Sequence, residues 1–229
     1  MTRPAWRGAP GETAKRNGQL PESLPEPANA ALIAGRYGCK PGAITLARHG
    51  EPALSRKVRL SAAEYDAWWA RYELGGLKAG QTPPESLLAL ARDAEVIVSS
   101  TRPRSVETAQ AVSGTRGFTP ESVMIEAPLP PPRWPGFLKL KPRTWGVIAR
   151  TAWWFFDAHR GRESREEAKL RAAAAADRLE QLARDGGDVL VLAHGFFNAM
   201  VGVELKRRGW RLVRNEGYRY WSARRYCRG

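Results

Sequence analysis

Four short apolar stretches of this chain each end in residues that can handle a phosphoryl group. Residues 43–47 run into Arg48-His49-Gly50-Glu51. Residues 95–99 lead through Ser99-Ser100 to Arg104, and residues 122–126 close on Glu126. Val189-Leu190-Val191-Leu192-Ala193 ends in His194-Gly195. The chain has three histidines, and two of them stand at these ends. An imidazole can attack phosphorus and form a covalent phosphohistidine, provided it is neutral. The guanidinium forks of Arg48 and Arg104 match phosphate oxygens, and their charge disfavours a neighbouring imidazolium. A second histidine can donate to the equatorial oxygens as charge shifts in the transition state. A carboxylic acid such as Glu126 can protonate a leaving alkoxide and later activate water. A helix following Gly195 adds free N–H groups and a positive dipole end.

These residues converge only if the stretches that carry them are neighbouring strands. The apolar runs at 43–47, 95–99, 122–126 and 188–193 have the length and composition of buried strands. Helical patterns alternate with them. One is expected at 61–74, with Ser61 as N-cap and Glu64 in the capping-box position, and one at 84–91 with a proline in its first turn. Others are expected at 103–112, 143–158, 163–185 and 196–208, and residues 218–226 alternate aromatic and polar side chains like an edge strand. The expected architecture is α/β, a three-layer α/β/α sandwich around a mostly parallel sheet. Ligands of such sheets bind beyond the carboxyl ends of the strands, where the two arginines, two histidines and Glu126 stand.

Ile44-Thr45-Leu46-Ala47-Arg48-His49-Gly50-Glu51 resembles the signature of the histidine phosphatase superfamily, also described as phosphoglycerate mutase-like. Three further elements resemble that family, in its order. Ser99-Ser100-Thr101-Arg102-Pro103-Arg104-Ser105-Val106-Glu107-Thr108-Ala109 is similar to its strand-loop-helix element, whose arginine lies four residues before the Thr-Ala pair and so falls on Arg104. Gly161-Arg162-Glu163-Ser164 resembles the start of its penultimate helix, and Val189 to Gly195 its second-histidine element. The similarity spans about residues 43–210. It implies a phosphoglycerate mutase-like fold over residues 41–229, with His49 as the phosphorylated nucleophile. Arg48, Arg104 and His194, with Gly195, would complete the phosphate pocket. Many members carry a polar residue, often Asn, seven positions after the first arginine; here that is Ser55, beside Arg56. The family acid usually follows the third strand in a Leu-Arg-Glu-like context. The nearest match, Met124-Ile125-Glu126-Ala127, lacks the arginine and places the acid on Glu126, with Glu51 as the competing carboxylate.

Composition bounds the remaining choices. The 229 residues are 43% hydrophobic and 26% charged, with nine Trp, six Tyr and six Phe, which excludes whole-chain disorder. Two cysteines, Cys39 and Cys227, are too few for a disulfide framework or a metal knuckle. Residues 1–40, interrupted by Pro4, Pro10, Pro21, Pro25 and Pro27, are expected to be a disordered tail, with at most a short helical turn at 29–35. No third ligand accompanies the two histidines at metal spacing, so neither a metal nor a cofactor is expected. No stretch is long enough to span a bilayer and no secretory signal is present, so a cytoplasmic location is expected. The net charge of +14 favours anionic partners. Much of it lies in residues 206–228, where nine basic residues face one acid, Glu216, and are expected to form a rim that draws in phosphorylated substrates. No nucleic-acid module is recognisable.

The Pro/Trp-rich insertion at about 127–160 admits three readings: a substrate lid, a helix added to the core, or an interfacial helix resting peripherally on an anionic membrane. The expected function is a metal-independent phosphatase that hydrolyses a phosphorylated small molecule through a phosphohistidine. A non-catalytic basic protein of the same fold, docking anionic lipid or nucleic acid, is the alternative. A phosphohistidine protein phosphatase or a mutase is a minor one. The sequence selects neither the substrate nor an oligomeric state.

Overall fold

In the computed structural model of the chain, residues 42–228 are described; the expected tail and its helical turn lie outside them. The unbroken apolar run Val189–Ala193 forms strand β4, buried along its whole length. Such a run suits only a strand covered on both faces. It lies parallel to β1 (Ile44–Arg48) on one side and to β2 (Val96–Ser100) on the other. Strand β3 (Thr119–Glu121) extends the sheet parallel to β2, while β6 (Ala223–Arg228) and β5 (Trp210–Asn215) extend the far side in antiparallel fashion. The sheet order is β3-β2-β4-β1-β6-β5, a mostly parallel sheet as expected.

Alternate side chains of the strands face opposite layers. Leu46, Val98 and Val191 face a core shared with α4 (Pro142–Phe156), α5 (Arg165–Leu182) and α6 (Gly195–Arg207). Ala47, Ile97, Leu190 and Leu192 face α2 (Glu85–Asp93) and α3 (Pro103–Ser113). A third cluster joins Tyr65, Trp68, Trp69 and Tyr72 of α1 (Ala62–Leu74) to Trp145 and Ala149 of α4. Ser61 caps α1 with both halves of the capping box, its hydroxyl accepting from the Glu64 N–H and its own N–H donating to the Glu64 carboxylate. Ser164 and Glu167 repeat the device on α5. The motif helices are thus fixed in register by local chemistry before tertiary contacts form.

Three sequence expectations need correction. Residues 122–126 are not a strand. The strand is the shorter Thr119–Glu121, followed by a 3-10 turn at Ser122–Met124. Arg171 of α5 donates to the carbonyls of Val123 and Ile125 at 2.9 and 2.7 Å, which turns those groups away from any ladder. Residues 218–226 are not an edge strand. Pairing begins at Ala223, and β6 lies inside the sheet between β1 and β5. The true edge, Trp210–Asn215, follows Gly209, whose φ of +90° releases the chain from α6. The basic rim is also neutralised in part, at five of its nine basic residues. Arg208 pairs with Asp177 and Glu180, Arg228 with Glu180, Arg225 with Asp188, Arg207 with Glu204 and Arg214 with Glu216. Four of those acids, Asp177, Glu180, Asp188 and Glu204, precede residue 206, so a count confined to the C-terminal segment missed them. No helix among the described residues is long and apolar enough to cross a membrane.

Candidate active site

The ends of β1 and β4 are pinned to each other. The His49 N–H donates to the Ala193 carbonyl at 3.0 Å, and the Asn198 side chain of α6 donates to the Ala47 carbonyl at 2.9 Å. The turn after β1 is pinned to α3 by Thr108. Its hydroxyl accepts from the Gly50 N–H at 3.0 Å and donates to the Arg104 carbonyl at 2.6 Å. Position 50 has no room for a larger residue, since a Cβ there would lie 2.3 Å from the Trp221 ring.

Both histidines are buried, His49 with 2% and His194 with 1% of its surface exposed, and their rings meet edge to face at 5.2 Å. Nδ1 of His49 lies 2.7 Å from the Gly50 carbonyl. A carbonyl only accepts, so Nδ1 carries the ring proton and Nε2 keeps the lone pair. Nδ1 of His194 faces the Arg104 guanidinium at 3.4 Å, which only donates, so its proton sits on Nε2, 2.9 Å from the Ser100 hydroxyl. Burial holds the pKa of both rings well below the ordinary value, and Arg104 adds to the effect. Arg48 pushes the same way on each ring, while the Gly50 carbonyl opposes the shift at His49.

Arg104 is itself 1% exposed. It donates to the Tyr72 carbonyl at 3.0 Å and to Glu73 at 2.8 Å, and lies 4.5 Å from the centre of the Tyr72 ring. Glu73 also pairs with Arg102 at 2.7 Å. Arg48 donates to the Tyr218 carbonyl at 2.6 Å and stacks on Tyr220 at 4.4 Å. The Glu126 carboxylate sits at the start of α6. Oε1 accepts from the Phe197 and Ala127 N–H groups at 2.9 and 3.1 Å, while Oε2 has only the Phe196 N–H at 3.4 Å. It occupies the anion position that a helix N-terminus offers.

Arg48, His49, Arg104, Glu126, His194 and Gly195 line one cavity of about 590 Å³. Ser55 is not among its lining residues; it is exposed and its hydroxyl accepts from the Lys57 N–H, whereas the adjacent Arg56 does line the cavity. Glu51, the competing carboxylate, is exposed and also absent from the wall. The insertion helix α4 belongs to both the core and the site. It buries Trp145, Ala149 and Trp153, and it faces the cavity with Gly146, Val147, Arg150 and Thr151. Sequence reasoning missed Glu73, Arg150 and the contact of Tyr220 with His49, ring centres 5.8 Å apart. Local sequence marks none of them, although Arg56 was flagged by its neighbour Ser55. Among the described residues, no group of three or more His, Cys, Asp or Glu is placed to hold a metal ion.

The sequence profile of the histidine phosphatase superfamily (branch 1) matches residues 44–219, most of the chain. The chain belongs to this superfamily. The histidine phosphatase fold recurs in solved structures of low sequence identity. Phosphoglycerate mutase from Bacillus anthracis is 18% identical, with a TM-score of 0.50 over 83% of this chain and 89% of its own. Phosphoserine phosphatase from Entamoeba histolytica, solved with phosphoserine, is 17% identical over 72% of this chain and 80% of its own, at a TM-score of 0.47. A mycobacterial glucosyl-3-phosphoglycerate phosphatase is 21% identical over 72% and 82%, also at 0.47. No curated protein sequence matches the chain significantly. Superfamily membership supports phosphatase or mutase activity.

Proposed function

We propose that this histidine phosphatase hydrolyses a phosphomonoester through a phosphohistidine on His49, without a metal ion. The observation that carries the reading is the fixed tautomer of His49. With Nδ1 committed to the Gly50 carbonyl, the Nε2 lone pair is the free atom of a neutral ring flanked by Arg48, Arg104 and His194. Nε2 attacks phosphorus in line, the N–P bond forms, and the ester P–O bond breaks with its electron pair on the leaving oxygen. Glu126 gives that oxygen a proton, with Oε2 as the less engaged position to carry it. The resulting carboxylate then takes a proton from water, whose oxygen attacks phosphorus and returns the electron pair to Nε2.

The Arg48 and Arg104 guanidiniums neutralise the phosphoryl oxygens throughout. His194 joins them once a phosphate displaces the Arg104 contact. Nδ1 then carries the proton and donates, while the Ser100 hydroxyl turns to donate to Nε2. The cavity is walled by aromatic rings of α1, which suits a small molecule better than a protein surface. The test is hydrolysis of an aryl phosphate from pH 4 to 8 with excess chelator, for the protein and for His49→Ala. Chelator-resistant turnover that disappears in the variant, with an acid-labile phosphoenzyme trapped during turnover, is expected. Turnover that survives His49→Ala would overturn the assignment. Glu126→Gln is read on an alkyl phosphate, whose poor leaving group needs the proton.

A further inference from the structure

Five buried polar groups of the cavity wall have no hydrogen-bond partner among the described residues; besides Nε of Arg48 and of Arg104, three stand apart, Nη1 of Arg150, the hydroxyl of Tyr65 and Nε of Arg56. Folded proteins leave few such groups, because each forfeits the hydrogen bonds it made to water. None of the three takes part in the phosphoryl chemistry above. Arg150 is the most confined. Its side chain is 16% exposed, its guanidinium lies face-on over Phe196 at 3.6 Å, and Nη2 is 4.0 Å from Glu126. These contacts engage the rest of the fork and leave Nη1 without a hydrogen-bond partner. Burial brings its pKa down to about 10, so it stays charged at neutral pH.

The Tyr65 ring is held by stacking on Trp68 and Trp145, with centres 5.8 and 6.1 Å away. Its hydroxyl lies within the fields of both Arg56 and Arg150, and a Cβ at Gly146 would come within 3.6 Å of it. Arg56 lines the same cavity and donates to the Tyr72 hydroxyl at 2.6 Å. Two cations and a hydroxyl donor line this cavity, whose lining holds a single carboxylate, Glu126, at 4.0 Å from Arg150; the surplus of donors matches an oxyanion.

Building on the phosphatase reading, we infer that the substrate's leaving group carries a second oxyanion, a carboxylate or a phosphate, held by Arg150 and Tyr65. Trp68 and Trp69 flank the part of the molecule that joins it to the scissile phosphate. The insertion helix thereby selects substrates by charge at a distance from the reacting phosphorus.

Three phenyl phosphates that differ only at the para position test this: carboxylate, phosphonate and the neutral carboxamide. Both kcat/KM and equilibrium binding, followed by quenching of the cavity tryptophans, are measured. The wild-type protein should prefer the better anion over the carboxamide by at least about tenfold, the worth of one charge-assisted hydrogen bond. Whether carboxylate or phosphonate leads tells which oxyanion the site takes. Arg150→Gln should bring the ratio close to one. Tyr65→Phe, which removes only the orphan hydroxyl, should lower the ratio several-fold without lowering Tm, and it decides the matter if Arg150→Gln does not fold. Turnover of all three esters at equal kcat/KM by the wild type overturns the subsite and leaves the phosphatase reading standing. Binding that prefers the anions without any turnover keeps the subsite and overturns the phosphatase reading. An anion preference unchanged in both variants overturns the assignment to Arg150 and Tyr65.

Discussion

Burying two neutral histidines side by side links stability to pH. In the unfolded chain each imidazole titrates near its ordinary value of 6.5, whereas in the fold burial and Arg104 hold both far below it. Below pH 6.5 the unfolded state therefore binds more protons than the native state, and acid favours unfolding. The contribution is fully present above the unfolded pKa and is lost as pH falls towards the folded one. Between pH 7.5 and 5.5 an unfolded imidazole goes from roughly one-tenth to nine-tenths protonated, which integrates to about 1.4 kcal/mol per histidine. The pair should cost about 2.7 kcal/mol over that interval. Urea unfolding at the two pH values measures it, with His49→Gln/His194→Gln as the control that keeps every other titrating group. At an m-value of about 2–3 kcal/mol/M, the wild-type midpoint should fall by about 1 M more than that of the double variant. Equal falls in the two proteins would refute neutral burial of the pair.

Further predictions follow from single contacts. With His49 already neutral, kcat/KM should show no limb from its titration at pH 6.5, and Arg104→Gln should move whatever acid limb His49 gives upward while lowering the rate; a His49 limb at 6.5 in the wild type would contradict neutral burial of the ring. Gly50→Ala puts a Cβ 2.3 Å from the Trp221 ring, and should reduce kcat/KM by at least about a hundredfold, since displacement of the reacting group by about 1 Å has that effect. Trp221→Ala in the same chain should restore part of the loss. Trp153→Ala removes a fully buried indole that also donates to the Glu163 carbonyl at 2.9 Å, and should cost about 3–5 kcal/mol in urea unfolding.

The strands and helices that carry the motif were legible because their signals are local. The unbroken Val-Leu run of β4, the Ser61/Glu64 box and the proline opening α3 each fix their element without distant help. What failed was decided across the fold. Val123 and Ile125 have the composition of a strand, yet Arg171, far along the chain, takes their carbonyls. Aromatic alternation at 218–226 read as an edge, but β5 covers that side and Trp221 adopts a positive φ of 64° to pack against Gly50. The histidines and arginines that line the cavity at the strand ends could be picked out by type. The remaining cavity wall could not. Arg56 and Arg150 resemble any surface arginine until α1 and α4 fold over them, and Glu73 is one of several acids on helices.

Glu73 offsets part of the positive charge that Arg104 brings to the cavity. Arg104 lies buried against His194, which cannot neutralise it, and an unpaired buried guanidinium would be strongly destabilising. Glu73 and the Tyr72 carbonyl satisfy its fork in the absence of ligand. Arg102 holds the other oxygen of Glu73, so the carboxylate keeps a partner when a phosphoryl group draws Arg104 away. The exchange is between two anions for one fork, and it needs no reorganisation of the backbone. On the proposed mechanism a phosphoryl dianion gains Arg48 and His194 as well, contacts Glu73 does not make. Those added contacts favour the phosphoryl group while it is in transfer. Inorganic phosphate, once free of the imidazole, competes with Glu73 for Arg104, and that competition favours its release.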